Sequence, residues 1–79
     1  MAKQIILCPM MGIFHRRPSP GAPAFAEEGQ AVGQDTTIGL VEVMKSFFPV
    51  TAGIDGTLTA FLIEDGEFVE PNLPIAEIE

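Results

Sequence analysis

Apolar and polar residues change places along this chain at intervals too short for helices. Eight glycines and seven prolines interrupt it throughout. The longest stretches free of both run from Leu40 to Phe48 and from Thr57 to Asp65, nine residues each. An average helix needs about 11–12 residues, whereas strands of about 5–6 fit easily. The apolar segments 4–8, 38–44, 50–51, 57–63 and 74–78 therefore read as strands. In Thr57-Leu58-Thr59-Ala60 the alternation puts threonines on one face and apolar side chains on the other. Turn signals separate the runs at Glu28-Gly29, Asp55-Gly56, Asp65-Gly66 and Pro71-Asn72. The pattern predicts an all-β domain of short strands, a small sandwich or flattened barrel spanning residues 1–79.

The chain also resembles itself. Ala26-Glu27-Glu28-Gly29-Gln30-Ala31-Val32 matches Ile63-Glu64-Asp65-Gly66-Glu67-Phe68-Val69 at an offset of 37. At the same offset Ile38, Val41 and Glu42 meet Ile75, Ile78 and Glu79. Met11-Gly12-Ile13-Phe14 matches Asp55-Gly56-Thr57-Leu58, but at an offset of 44. The first half thus holds seven extra residues, located between Phe14 and Ala26. That interval contains Arg17-Pro18-Ser19-Pro20-Gly21-Ala22-Pro23. Three prolines and a glycine cannot continue a strand, and they fix several φ angles. A stiffened protrusion is expected there, present in one half only.

Two matching halves predict a quasi-two-fold sandwich, with the join between halves at the opposite end from the chain termini. The join is Glu42-Val43-Met44-Lys45-Ser46. With one strand ending at Met44 and the next starting at Phe47, Lys45 stands at a hairpin tip, its ammonium in water. A solvated amine suits a lysine that an enzyme modifies more than a buried catalytic base. Pro49 lacks an N–H and is expected on an edge or irregular strand.

Composition narrows the partners. Four Lys and Arg against eleven Asp and Glu give a formal charge of −7. Neutralising nucleic-acid phosphates needs many cations, so nucleic acid is excluded, as is an anionic membrane surface. Hydrophobic residues make up 47% of the chain, yet no run approaches the roughly 20 apolar residues of a membrane span. Cys8 is the only cysteine. It reads as a small core residue in a reducing compartment, and with no secretory signal pattern the cytoplasm is the expected location. One histidine cannot build a metal site or a catalytic triad, so His15 is assigned a surface or hydrogen-bonding role. Phe14, Phe25, Phe61 and Phe68 are assigned to the core. Met10, Met11 and Met44 are assigned to packing in the core or near the tip. Phe47 and Phe48 lie close enough to the tip to touch a partner.

Several segments together resemble the biotinyl domain of biotin carboxyl carrier proteins of the acetyl-CoA carboxylase type. They are P-M-M-G-I-F at 9–14, R-R-P-S-P-G-A at 16–22, E-E-G-Q-A-V at 27–32, E-V-M-K-S at 42–46 and D-G-T-L at 55–58. The resemblance implies two four-stranded antiparallel sheets in a flattened biotinyl/lipoyl-like sandwich. It implies biotin as the cofactor, joined covalently to Lys45 by a biotin protein ligase that reads the flanking Met44 and Ser46. The usual flanks are alanine and methionine before the lysine and methionine after it; here Val43 and Ser46 depart from that pattern. The insertion, about 17–24, resembles the family's thumb, and places Pro18, Ser19, Pro20, Gly21 and Ala22 near the cofactor. The implied partners are that ligase, a biotin carboxylase and a carboxyltransferase acting on an acyl-CoA in fatty-acid synthesis. The carrier itself would catalyse nothing and hold no metal. Two alternatives stand beside it: an unmodified biotinyl-like assembly module, and a lipoyl-type carrier. Lipoyl-type carriers usually have an acidic residue before the lysine and lack the thumb.

Overall fold

A computed structural model describes residues 3–79. Met1 and Ala2, included in the expected domain, lie outside the described residues. Eight strands follow in order: β1 Gln4–Leu7, β2 Gly12–His15, β3 Ala31–Val32, β4 Thr37–Val43, β5 Ser46–Thr51, β6 Gly56–Phe61, β7 Phe68–Val69 and β8 Pro74–Ile78. No helix is present among the described residues. Two antiparallel four-stranded sheets form, ordered β1-β8-β6-β3 and β5-β4-β2-β7. Both stay open, so the fold is a sandwich and not a closed barrel.

The internal repeat becomes a two-fold relation in space. Exchanging β1 with β5, β2 with β6, β3 with β7 and β4 with β8 turns one strand order into the other. Turn hydrogen bonds follow suit. The Gly29 N–H donates to Leu58 O at 2.6 Å, and the Gly66 N–H donates to Phe14 O at 2.7 Å. Each turn is closed again by a side chain, Gln30 Oε1 accepting from the Glu27 N–H and Glu67 Oε1 from the Glu64 N–H.

The core is built twice in the same way. Ile6 and Val50, Cys8 and Ala52, Phe14 and Leu58, Ala26 and Ile63, Val32 and Val69, Ile38 and Ile75, Val41 and Ile78 are repeat mates, and all are buried in one cluster. Burying a Val, Leu, Ile or Phe side chain stabilises by roughly 1.5–3 kcal/mol, so this set supplies most of the driving force. One pair shows how the halves diverged without losing packing. Phe14 is matched by the smaller Leu58, and beside them Gly39 is matched by the larger Ala76. A Cβ built on Gly39 would run into the edge of the Phe14 ring. Volume removed at one position thus offsets volume added at its neighbour.

Several sequence expectations need correction. Phe68 is 53% exposed, because β7 is two residues long and turns that side chain outward. Phe25 and Phe61 are only half-buried. The strand expected over 57–63 ends at Phe61, and a register shift between Leu58 and Ala60 breaks the simple alternation. The strand expected to start at Phe47 starts one residue earlier, at Ser46. Pro49 sits as anticipated, on β5 at a sheet edge, opposite Leu40. Its missing N–H removes no bond from the ladder's interior.

The paired volumes predict a specific coupling. Gly39→Ala should destabilise the protein by about 1–3 kcal/mol through overpacking against Phe14. Adding Phe14→Leu, which recreates the Leu58/Ala76 combination, should recover at least half of that loss. Denaturant unfolding of the two single variants and the double variant measures it; additive losses would contradict the packing described.

Candidate functional site

β4 and β5 form the longest hairpin. Their register runs from Thr37 opposite Thr51 to Val43 opposite Ser46, leaving Met44 and Lys45 as a two-residue loop. Both loop residues have positive φ, 50° for Met44 and 68° for Lys45. Positive φ at both central positions is the mark of a type I′ turn, whose twist suits a tight hairpin and which ordinarily selects Asn-Gly. A side chain with a Cβ in the left-handed region costs roughly 1–2 kcal/mol. Neither residue recovers that cost by packing: Met44 is 94% exposed and Lys45 is exposed. The expectation that Met44 packs near the tip is therefore corrected. Strain held where nothing packs points to a functional position.

Lys45 makes no ion pair among the described residues, whereas the other lysine, Lys3, reaches Glu77 Oε1 at 3.5 Å. The Lys45 side chain is exposed to solvent. By the two-fold relation the tip is the counterpart of the chain ends, where β1 and β8 lie side by side, so tip and ends belong to different sheets.

The insertion between β2 and β3 is tied down at its base and within itself. The Phe25 N–H donates to Arg16 O at 2.9 Å, closing the loop. Inside it, the Ala22 N–H donates to Ser19 O at 3.1 Å, and Arg17 Nη1 donates to Ala22 O at 3.3 Å. Arg16 lies over the Phe61 ring, 4.1 Å from its centroid, a cation–π contact that anchors the stem. The loop is a stiff projection, as its prolines imply.

A cleft of about 340 Å³ lies between this projection and the hairpin. Pro18, Ser19, Pro20 and Arg17 line one side; His15, Glu42, Phe47 and Asp65 line the other. Gly21, Ala22, Met44, Lys45 and Ser46 do not line it. His15 donates through Nε2 to Glu42 Oε1 at 2.9 Å, and its ring lies 6.1 Å from that of Phe47. The hydrogen-bonding role expected for His15 is thus borne out. Asp65 was singled out in the sequence only as part of a turn. Its Oδ1 accepts from the Arg16 N–H at 2.7 Å, while its repeat mate Glu28 accepts from the Phe61 N–H at 2.8 Å. The repeat carried that signal, because both carboxylates occupy one position in matching turns. No cluster of His, Cys, Asp and Glu suited to a metal exists among the described residues. No helix there is long and apolar enough to cross a membrane.

A family model described as biotin-requiring enzyme matches residues 4–78. The chain is 39% identical over 79 residues to the biotin carboxyl carrier protein of acetyl-CoA carboxylase from Haemophilus influenzae, covering all of this chain and 51% of that protein. It is 35% identical over 74 residues to the protein of the same name from Nostoc sp., covering 94% and 41%. Against the one from Chlamydia trachomatis it is 42% identical over 65 residues, covering 82% and 40%. The chain spans about half the length, or somewhat less, of these curated relatives.

The strained turn has a measurable consequence. Replacing Met44-Lys45 by Asn-Gly should raise unfolding stability by about 1–3 kcal/mol, since both residues tolerate positive φ. Denaturant titration checks it; unchanged or lowered stability would show that the native pair is not strained.

Proposed function

The chain belongs to the biotin-requiring enzyme family, and on that footing we propose that it is the biotin-bearing domain of a carboxyl carrier acting in acyl-CoA carboxylation. The observation that carries the reading is the hairpin. Lys45 is held in a left-handed two-residue turn, exposed to water and with no ion pair among the described residues. A biotin ligase would join the biotin carboxyl to Nζ as an amide, which removes the ammonium charge. Met44 and Ser46, on either side of it, would be what that ligase touches first. Bound there, biotin supplies a ring nitrogen that carries a carboxyl group from a biotin carboxylase to a carboxyltransferase, the step that commits acyl-CoA to fatty-acid synthesis.

The domain's own residues would position that cargo without catalysing either step. The β4–β5 ladder keeps the tip rigid, so the motion is confined to the lysine side chain and what it bears. A long, flexible tether on a rigid body would raise the local concentration of cargo at each enzyme it meets. The thumb, residues 17–24, stands across the cleft from Phe47 and would shield the cargo during transit, with Pro18, Ser19 and Pro20 as its nearest wall. The net charge of −7 suits brief encounters, in which rim charges set association more than residence. A buried free Cys8 suits a reducing compartment such as the cytoplasm. The relatives' names favour neither the lipoyl-type carrier nor the unmodified module.

Co-expression with a biotin ligase and biotin should add a single biotin-sized mass to the protein. The adduct should vanish in Lys45→Arg and persist in Lys3→Arg. Intact mass spectrometry with peptide mapping reads the result; a bare Lys45 beside an active ligase would remove the carrier role.

A further inference from the structure

The loop 17–24 is tied to the rest of the molecule through its stem. Among the described residues its own hydrogen bonds stay inside it, from the Ala22 N–H to Ser19 O and from Arg17 Nη1 to Ala22 O. Its two ends meet at Arg16, whose carbonyl accepts from the Phe25 N–H at 2.9 Å. A stiff unit closed at one residue can pivot there as a whole, so what matters is what holds that residue. On the edge of β2 that faces β7, the Phe14 N–H donates to Glu67 O at 2.9 Å, and Phe14 O accepts from the Gly66 N–H at 2.7 Å. The next N–H on the same edge, that of Arg16, donates to Asp65 Oδ1 at 2.7 Å and not to a backbone oxygen. A side-chain carboxylate thus ends the ladder where the chain leaves β2 for the loop. Hydrogen bonds to a charged acceptor are the stronger kind. The contacts of the Arg16 guanidinium with the Phe61 ring and, at 3.9 Å, with Glu27 act through a side chain of several rotatable bonds. The Asp65 bond acts on the backbone itself.

We infer that Asp65 is a positioning residue, whose bond to the Arg16 N–H sets the angle of the thumb over the cleft and so decides how far a tethered ring is screened from solvent. The first half of this stands on the geometry; the screening rests on the carrier reading above. Asp65 lines the same cleft as Arg17, Pro18, Ser19 and Pro20, so the carboxylate that holds the stem stands where the loop overhangs. The repeat shows what the position does without a loop. Glu28, the mate of Asp65, accepts from the Phe61 N–H at 2.8 Å, and there the chain runs on from β6 with no insertion. The carboxylate ties turn to strand in both halves, and in one half alone does that tie carry a projection.

Wild type is compared with Asp65→Ala, Asp65→Asn and Asp55→Ala. Asn keeps an oxygen acceptor without the charge, its amide being verified by mass. Asp55 makes the same kind of bond, its Oδ1 accepting from the Gln34 N–H at 3.0 Å, in a turn that bears no loop. Backbone amide relaxation is read on unloaded protein at Arg17, Ser19, Gly21, Ala22 and Ala24. Order parameters of about 0.85 are expected in wild type, Asp65→Asn and Asp55→Ala, falling to about 0.6 or below in Asp65→Ala, with the β4–β5 hairpin unchanged. Each protein is then loaded with biotin and mixed with streptavidin, which must enclose the ring to bind it. The capture rate should rise about fivefold or more in Asp65→Ala alone. A thumb as rigid in Asp65→Ala as in wild type overturns the inference and leaves the carrier reading intact. A mobile thumb with unchanged capture reduces Asp65 to a structural tie and also overturns it. So does Asp65→Asn behaving like Asp65→Ala, which would assign the effect to the charge and not to the bond. Failure of wild type to load overturns the carrier reading and the screening with it, while the relaxation still decides whether Asp65 holds the thumb.

Discussion

The bend at Met44-Lys45 is the constraint on which the rest of the molecule turns. Two side-chain-bearing residues occupy the left-handed region together, both of them exposed. Left alone, such a turn would relax. It is held because β4 and β5 pair along their whole length beneath it, and because Val41 and Val50 pin those strands to the core. The chain spends stability at one point to keep an amine in water on a rigid stalk.

That stalk needs a small, stiff body, and duplication provides one. Seventy-nine residues leave little core to work with. Seven pairs of buried repeat mates use it twice over, and Gly39 lies against Phe14 where the repeat places the larger Ala76 and the smaller Leu58. Departures from the two-fold are then the informative places. The loop 17–24 follows β2, and the exposed aromatics Phe47 and Phe68 lie on β5 and β7, all in the sheet that carries Lys45.

Most of the architecture was legible in the sequence because the repeat is written in side chains that must be buried. Glycine and proline spacing excluded helices, and the two offsets located both the insertion and the join. Legibility failed where length or register overrides periodicity. β3 and β7 are two residues each, too short for alternation to say which way a side chain faces, and Phe68 was misplaced for that reason. The shift between Leu58 and Ala60 likewise cannot be read from an alternating pattern. At the site, Lys45 and the thumb followed from the join and the insertion. The cleft did not, since Asp65 reaches it from 49 positions along the chain from Arg16, and only the folded sheet brings them together.

The claim at the centre is that the folded hairpin, and not the local sequence, makes Lys45 a substrate. The most direct measurement compares the rate at which a biotin ligase loads the folded domain with its rate on a free peptide spanning residues 40–51. In the peptide the left-handed turn has no ladder beneath it, so the account predicts rapid loading of the domain and negligible loading of the peptide. Comparable rates for the two would contradict it.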